Sequence, residues 1–187
     1  MKYESILEKL KANSYSRNQL AQLKLNTQAK VDSGDVSAKL VLEAIDYAIP
    51  VDTEVVFMGF CPDSDFGNRL DIEWKEKGIC RFDFTESKQQ LERFYQIANG
   101  DLIVLKKREK FGKTMNLYGY GRVSAIRYDQ DKVRFLEVDW SEKNQIIEVP
   151  LMGCNSTVDV RSIEFVNDSM SEEYFDWVGS PLKKSLR

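Results

Sequence analysis

Histidine is absent from the 187 residues of this sequence. Without histidine a chain cannot use Ser-His or Cys-His nucleophile pairs or histidine general-base catalysis, and it lacks the commonest side-chain ligand of transition metals. Several large classes of enzyme are therefore excluded. The sequence favours a non-catalytic protein, and we predict no catalytic residue, no bound metal and no cofactor.

Cysteine and long apolar runs are also scarce. The three cysteines lie far apart without Cys-x-x-Cys spacing, which fits free thiols buried as small apolar groups better than a disulfide framework or a zinc site. No run approaches the ~20 apolar residues that a transmembrane helix needs. The chain begins with an amphipathic stretch rather than an apolar signal core. We therefore expect a soluble, cytoplasmic protein with no membrane partner.

Charge is present in quantity and is unevenly distributed. The net charge is −3, yet residues 106–134 carry nine Lys and Arg against three Asp and Glu, whereas residues 137–176 carry ten acidic side chains against two basic ones. Such blocks predict a basic face beside an acidic face. The negative net charge therefore does not exclude a polyanionic partner.

Residues 1–49 show the apolar periodicity of three short helices. Ser16 and Gln19 have the spacing of a capping box that begins the second helix, and Pro50 ends the third. Short helices bury little apolar area by themselves. We expect this segment to dock on the rest of the chain or on a second subunit, which would give a homodimer through the N-terminal helices.

Residues 50–187 show short apolar runs at close spacing instead. They predict strands at 54–60, 79–84, 102–105, 117–126, 133–140, 146–151 and 158–166, with helices at about 85–98 and 169–178. This spacing is typical of a barrel or a sandwich. The fold class is therefore predicted as α+β, with a helical segment (1–49) followed by a β-rich domain (50–187).

Three short motifs follow one another in the second part of the chain. Gly100-Asp101 precedes an apolar strand, Gly119 and Gly121 flank a tyrosine in a later strand, and the pair Asp139-Trp140 ends another. This order resembles PUA-like domains, particularly EVE-type modules and relatives attached to modification-dependent restriction systems. The resemblance covers about residues 52–166. It implies a mixed β-barrel that recognises nucleic acid, often by taking a modified base into an aromatic-lined pocket.

Trp74, Tyr118 and Tyr120 are the candidate ligand-binding rings, because each lies beside a glycine or a charge rather than inside an apolar run. Stacking of a base on an aromatic ring is worth ~1–3 kcal/mol and tolerates any base. The alternative for each ring is a place in the hydrophobic core, where most aromatic side chains of a domain lie.

Basic side chains between two predicted strands are candidates for contact with the phosphate backbone. They are Lys106, Lys107, Arg108 and Lys110, together with Arg122 of the following strand. Phosphate contacts fix position and make affinity depend on salt, but they read no sequence. The alternative is a solvated edge loop whose lysines discourage edge-to-edge pairing.

Two other functions remain open. Asp63 or Asp65, followed by Glu73-Trp74-Lys75, has the residue types of a Mg²⁺-dependent nuclease. An adaptor module of a phage or a defence cluster would instead dimerise through residues 1–49 and present its acidic half to a partner protein. The sequence does not distinguish DNA from RNA as the ligand.

Overall fold

The chain folds as a mixed α+β protein, seen in a computed structural model that describes residues 2–62, 68–82, 87–110 and 112–179. The helices within these ranges are α1 (Glu4–Lys11), α2 (Arg17–Asp32), α3 (Lys39–Tyr47), α4 (Asp71–Lys77), α5 (Lys88–Gln96), α6 (Ile163–Ser169) and α7 (Glu172–Val178). The strands are β1 (Glu54–Gly59), β2 (Ile79–Arg81), β3 (Leu102–Lys110), β4 (Thr114–Tyr128), β5 (Arg134–Trp140), β6 (Ile147–Pro150) and β7 (Val158–Ser162). The α+β class is confirmed.

The strands form one mixed sheet in the order β2-β5-β4-β3-β1-β7. Strands β1 and β3 are parallel, and the other pairs are antiparallel. The long strand β4 pairs with β3 along one edge and with β5 and then β6 along the other. Within the described residues β2 and β7 lie at opposite ends of this order, so the sheet is open and the expected closed barrel is not confirmed.

Both faces of the sheet are covered. Val55 and Phe57 of β1 pack towards α6 and α7, whereas Val56 and Met58 pack towards α4 and α5. Successive strand residues point to opposite faces, so a central strand that is buried on both faces consists of consecutive apolar residues. The two faces carry separate hydrophobic cores, and each can therefore open to its own cavity.

The N-terminal helices α1 to α3 pack around a third, smaller core. The predicted capping box is confirmed, because Ser16 accepts a hydrogen bond from the Gln19 amide while the Gln19 side chain accepts one from Ser16 N. The helical segment docks on the sheet through Arg17, whose guanidinium donates to Asp101 at 2.6 and 3.1 Å. Whether these helices also form a homodimer stays a prediction.

Asp101 joins four parts of the molecule at the start of β3. Its carboxylate has no exposed surface and accepts, besides the two bonds from Arg17, the amide N–H groups of Glu54 and Ala98 at 2.8 Å each. The preceding Gly100 has φ +84° and lies in the turn after α5, where the Asp101 amide donates to the Ala98 carbonyl at 3.2 Å. One buried charge thus holds α2, β1, the end of α5 and β3 together.

Three predicted elements differ from the structure. Residues 71–77 form helix α4, which the charged sequence did not predict. The strand predicted at 158–166 ends at Ser162, whose hydroxyl caps α6 by accepting the Phe165 amide. The basic stretch predicted as a loop at 106–116 continues the strands, because β3 runs to Lys110 and β4 begins at Thr114.

We predict that Asp101→Asn lowers the free energy of unfolding by about 3 kcal/mol, the scale for breaking one side of a buried ion pair. Both carboxylate oxygens of Asp101 accept N–H groups, so the new amide nitrogen faces N–H donors in either orientation of the asparagine side chain. Urea unfolding measures the loss. Asp46→Asn is the matched control, since the exposed Lys24–Asp46 pair should contribute no more than about 1 kcal/mol. Equal losses in the two variants would contradict the role of Asp101.

Candidate functional site

A β-bulge in β4 decides where its two tyrosines lie. Leu105 pairs with Gly119 and Lys106 with Leu117, so that Tyr118 is an extra residue in the ladder. Without a bulge, residues two apart share a face of a strand. Here Tyr118 packs on the face of α4 and α5, whereas Tyr120 packs on the face of α6 and α7. The single pocket predicted for both tyrosines is therefore two cavities.

The first, the Tyr120 cavity, has a volume of about 220 Å³ and lies where β5 separates from β4. Its lining residues come from β3, β4, β5, the loop after β5 and α7. They are Leu102, Tyr120, Gly121, Arg122, Asp139, Trp140, Ser141 and Val178. The Tyr120 ring, one cation and one carboxylate thus border a single opening, whereas the side chain of Trp140 packs with the core on the other face of the sheet.

The Tyr120 ring is held by a contact behind it, because it packs edge-on against Trp177 with 4.9 Å between the ring centroids. The indole of Trp140 lies on the face of α4, where its N–H donates to the carbonyl oxygens of Trp74 and Ile79 at 3.0 and 3.3 Å. A ring fixed as Tyr120 is loses little conformational entropy when a flat ligand binds.

Arg122 and Asp139 are direct partners across the β4–β5 ladder, and both side chains are exposed. Arg122 donates through Nη1 to the Gly100 carbonyl at 3.0 Å, which leaves its other N–H groups for a ligand. Within the described part of the chain the two residues form no ion pair with each other. The cavity therefore offers both donors and acceptors at its rim.

The second, the Lys75 cavity, lies on the opposite face of the sheet and measures about 320 Å³. It opens between α4 and Tyr118, with the loop before β6 as its third wall. Its lining residues are Arg69, Asp71, Ile72, Lys75, Glu76, Tyr118, Asn144 and Ile146. A cavity between the Trp74 segment and β4 therefore exists, but it contains one aromatic ring and two cations.

Arg69 is fixed at this cavity by one carboxylate and two rings. It donates through Nε and Nη2 to the buried Asp71 at 2.9 and 2.5 Å. Its guanidinium carbon lies 5.5 and 5.0 Å from the ring centroids of Phe60 and Tyr118, within the range of cation–π attraction. The hydrogen bond to Asp71 helps to raise the pKa of Arg69.

Lys75 reaches β4 through a notch that Gly119 leaves open. Its ammonium donates to the Tyr118 carbonyl at 2.5 Å. A Cβ on Gly119 would lie 2.5 Å from Lys75 Cε and 2.7 Å from Nζ. Partial burial lowers the pKa of Lys75, against an opposing effect of Asp71. Gly119 is therefore explained by the close approach of this side chain.

Trp74 is not available for ligand stacking. Its side chain is 2% exposed and belongs to the core beneath α4, so its prediction as a ligand-binding ring is corrected. A seven-residue helix with charges on its outer face presents Trp74 inwards, and the polar neighbours that suggested an exposed ring belong to the other faces. Tyr118 and Tyr120 are half-buried, each at its own cavity.

Lys106 is likewise not available for contact with phosphate. It is 3% exposed and donates to Asp159 at 2.9 Å and to the carbonyls of Cys154 and Ser156 at 2.6 Å each. Burial lowers its pKa, and Asp159 raises it. Strand β3 continues through Lys106, whose side chain meets Asp159 of β7 in the core.

The other predicted backbone contacts lie nearer to solvent. Lys107 is half-buried and pairs with Glu109 at 3.1 Å, whereas Arg108 and Arg122 are exposed. The side chain of Lys110 lies outside the described residues. These four remain predictions as contacts with the phosphate backbone.

The residues proposed for a nuclease do not form a described site. Asp63 and Asp65 lie outside the described residues, and the Glu73 carboxylate pairs with Lys77 on its own helix at 2.5 Å. No group of three or more metal-ligating side chains is found in the described ranges. None of the helices there combines the length and the apolar character that a bilayer crossing requires.

Sequence reasoning missed four residues that line the cavities, namely Arg69, Lys75, Asp139 and Trp140. For the last two a signal was present, because Asp139-Trp140 was noted as a motif. Its alternation within β5 places Trp140 on the face of the buried Leu136 and Val138. Arg69 and Lys75 meet β4 only through the packing of α4, which no local pattern shows.

Comparison of the chain with protein-family models, with curated proteins and with solved structures gave no match.

The two glycines of β4 should respond differently to alanine. A Cβ on Gly121 would meet the Asp139 carbonyl oxygen at 2.7 Å and Trp140 Cα at 2.9 Å, which are backbone atoms that cannot turn aside. We predict that Gly121→Ala lowers the free energy of unfolding by about 3 kcal/mol, at the upper end of overpacking effects.

Gly119→Ala is the matched comparison, because its Cβ meets only the flexible end of Lys75. We expect a loss of about 1 kcal/mol there, since the lysine can move away. Chemical unfolding of both variants measures the difference. A loss in Gly119→Ala that equals or exceeds that in Gly121→Ala would contradict the assigned contacts.

Proposed function

We propose that this protein is a non-catalytic nucleic-acid recognition module that holds one base of DNA or RNA in the Tyr120 cavity. The observation that carries this proposal is the Tyr120 ring, held by Trp177, beside Arg122 and Asp139 at one opening. The proposal includes a PUA-like character for residues 50–187, with an open sheet in place of a closed barrel.

The size of the Tyr120 cavity supports a single planar group. Its volume of about 220 Å³ lies below the ~300–1,000 Å³ typical of pockets for drug-sized ligands. A base in a duplex is stacked and paired, so only an unpaired or extruded base can enter such a cavity. Single-stranded nucleic acid, or a duplex with a weakened base pair, is therefore the expected ligand.

Arg122 and Asp139 supply the means to select a base. A carboxylate accepts hydrogen bonds from ring N–H and amino groups, whereas a guanidinium donates to ring nitrogens and carbonyl oxygens. A base edge that carries both hydrogen-bond donors and acceptors can therefore bond to both Asp139 and Arg122. Stacking alone tolerates every base, so preference among natural and modified bases should depend on these two side chains.

Exposed cations of β3 and β4 support contact with the phosphate backbone. Arg122 lies at the cavity itself, and Arg108 is exposed at the far end of β3. Each phosphate contact releases condensed counterions, so affinity should fall as salt rises. Lys107 and Lys110 are proposed as further contacts of the same kind.

We predict that Asp139→Asn and Tyr120→Leu each weaken binding of a fluorescent single-stranded oligonucleotide by about tenfold, because the first changes the polar edge and the second removes the stacking surface. Fluorescence anisotropy at low salt measures this. Lys132→Asn is the control, since it removes one exposed charge on the β4–β5 turn and asparagine tolerates the φ of +61° there. Its affinity should stay within about twofold, as loss of a single distant charge costs little.

The absence of binding to any DNA or RNA at low salt would contradict this function. Equal weakening by all three variants would also contradict it, because residues at the cavity and a residue far from it would then matter equally. Melting temperatures should accompany the titrations, because Tyr120 also packs against Trp177.

A second candidate function, self-association as an adaptor, is favoured by an exposed apolar stripe on the N-terminal segment. Val36, Leu40 and Tyr47 follow one face of the 3₁₀ turn Val36–Ala38 and α3, and they are 73%, 54% and 62% exposed. Lys39 begins α3 and Asp46 lies near its end. A second copy that packs antiparallel would place each basic end beside an acidic end.

If this stripe forms a dimer, Leu40→Glu should shift sedimentation from dimer to monomer, since it places like charges at the symmetric contact. Leu25→Glu is the control, because Leu25 is an exposed apolar residue on α2. A monomeric wild-type protein at high concentration would rule out self-association through α3.

A further inference from the structure

We propose that the Lys75 cavity is a binding site for a phosphate group, with Lys75 and Arg69 as its cations and Asn144 as a neutral donor. This site goes beyond the proposed base pocket, because it lies on the opposite face of the sheet and uses different side chains.

The two cations have donor capacity that the fold does not use. An ammonium has three N–H donors, and among the described residues Lys75 donates to one acceptor, the Tyr118 carbonyl. Arg69 uses Nε and Nη2 for Asp71, so within the described ranges its Nη1 is left with no hydrogen bond. A tetrahedral oxyanion can accept several such donors at once.

The carboxylates near the cavity do not neutralise Lys75. Asp71 is buried and accepts two hydrogen bonds from Arg69, and no carboxylate in the described residues forms an ion pair with Lys75. Glu76 is exposed at the rim, where water screens its charge. Among the described residues the ammonium is therefore partly desolvated without a paired carboxylate, and burial lowers its pKa against the opposing effect of Asp71. A bound oxyanion would supply the missing charge.

The cations are also held in place before any ligand arrives. The rings of Phe60 and Tyr118 lie beside the Arg69 guanidinium, and the notch at Gly119 admits the end of Lys75. Long cationic side chains usually lose much rotamer entropy when they bind. Here the fold already restricts both side chains, so binding should cost less rotamer entropy than it would at a patch of surface lysines.

The phosphate can come from two sources. The loop that follows β5 contributes Ser141 to the Tyr120 cavity and Asn144 to the Lys75 cavity, so the two openings flank one short segment. A nucleic acid at the first cavity could place a terminal phosphate at the second. A free phosphate or a small phosphorylated molecule has the same chemistry and needs no base pocket.

Isothermal titration of the full chain with inorganic phosphate, at constant ionic strength in chloride, tests the proposal. We expect saturable binding that Lys75→Gln weakens at least tenfold, while Lys75→Arg retains a measurable part of it. Lys77→Gln is the matched control, because Lys77 lies on the same helix, is exposed and pairs with Glu73. Its phosphate affinity should stay within twofold of the wild type.

Comparison of an oligonucleotide with and without a terminal phosphate identifies the source. A gain of tenfold or more from that phosphate, lost in Lys75→Gln, assigns the site to nucleic acid. No gain, with free phosphate still bound, assigns it to a small molecule. Asp139→Asn should leave phosphate binding unchanged, which separates this site from the base pocket. No phosphate binding by the wild type, or equal binding by Lys75→Gln, would overturn the proposal.

Discussion

The extra residue at Tyr118 is the constraint on which both cavities depend. Because Leu117 and Gly119 pair with consecutive residues of β3, Tyr118 and Gly119 both lie on the side of α4, and Tyr120 lies on the side of α7. A regular strand would place both tyrosines on one face and give that face a larger aromatic surface. The bulge divides this surface, and it leaves the Gly119 notch that Lys75 enters.

The surrounding fold makes this division stable. Trp177 supports the Tyr120 ring from one side of the sheet, and its own indole N–H donates to the Gln145 carbonyl at 2.8 Å. Lys143 donates to the carbonyls of Asp176 and Trp177 at the end of α7. The loop between β5 and β6 is thus tied to α7. This loop lines both cavities, so a ligand in either cavity contacts the same loop.

The sequence predicted those features that depend on local chemistry. The Ser16–Gln19 capping box is set by neighbouring residues, and it is confirmed. The features that it missed depend on contacts between distant segments. The register of β3 against β4 creates the bulge at Tyr118, so the periodicity of β4 alone assigns this ring to the wrong face. Lys106 was predicted to contact phosphate, but β3 continues through this residue and brings its ammonium to the buried Asp159 of β7.

The central claim is that a nucleobase binds against Tyr120 beside Arg122 and Asp139, and the three tryptophans allow a direct measurement. Each indole N–H gives its own signal in a ¹H–¹⁵N NMR spectrum. Addition of a single-stranded oligonucleotide should shift the Trp177 signal most and the Trp74 signal least, because the Trp177 ring packs against Tyr120 and Trp74 is buried on the other face of the sheet. Saturable binding that leaves the Trp177 signal unmoved would contradict the account.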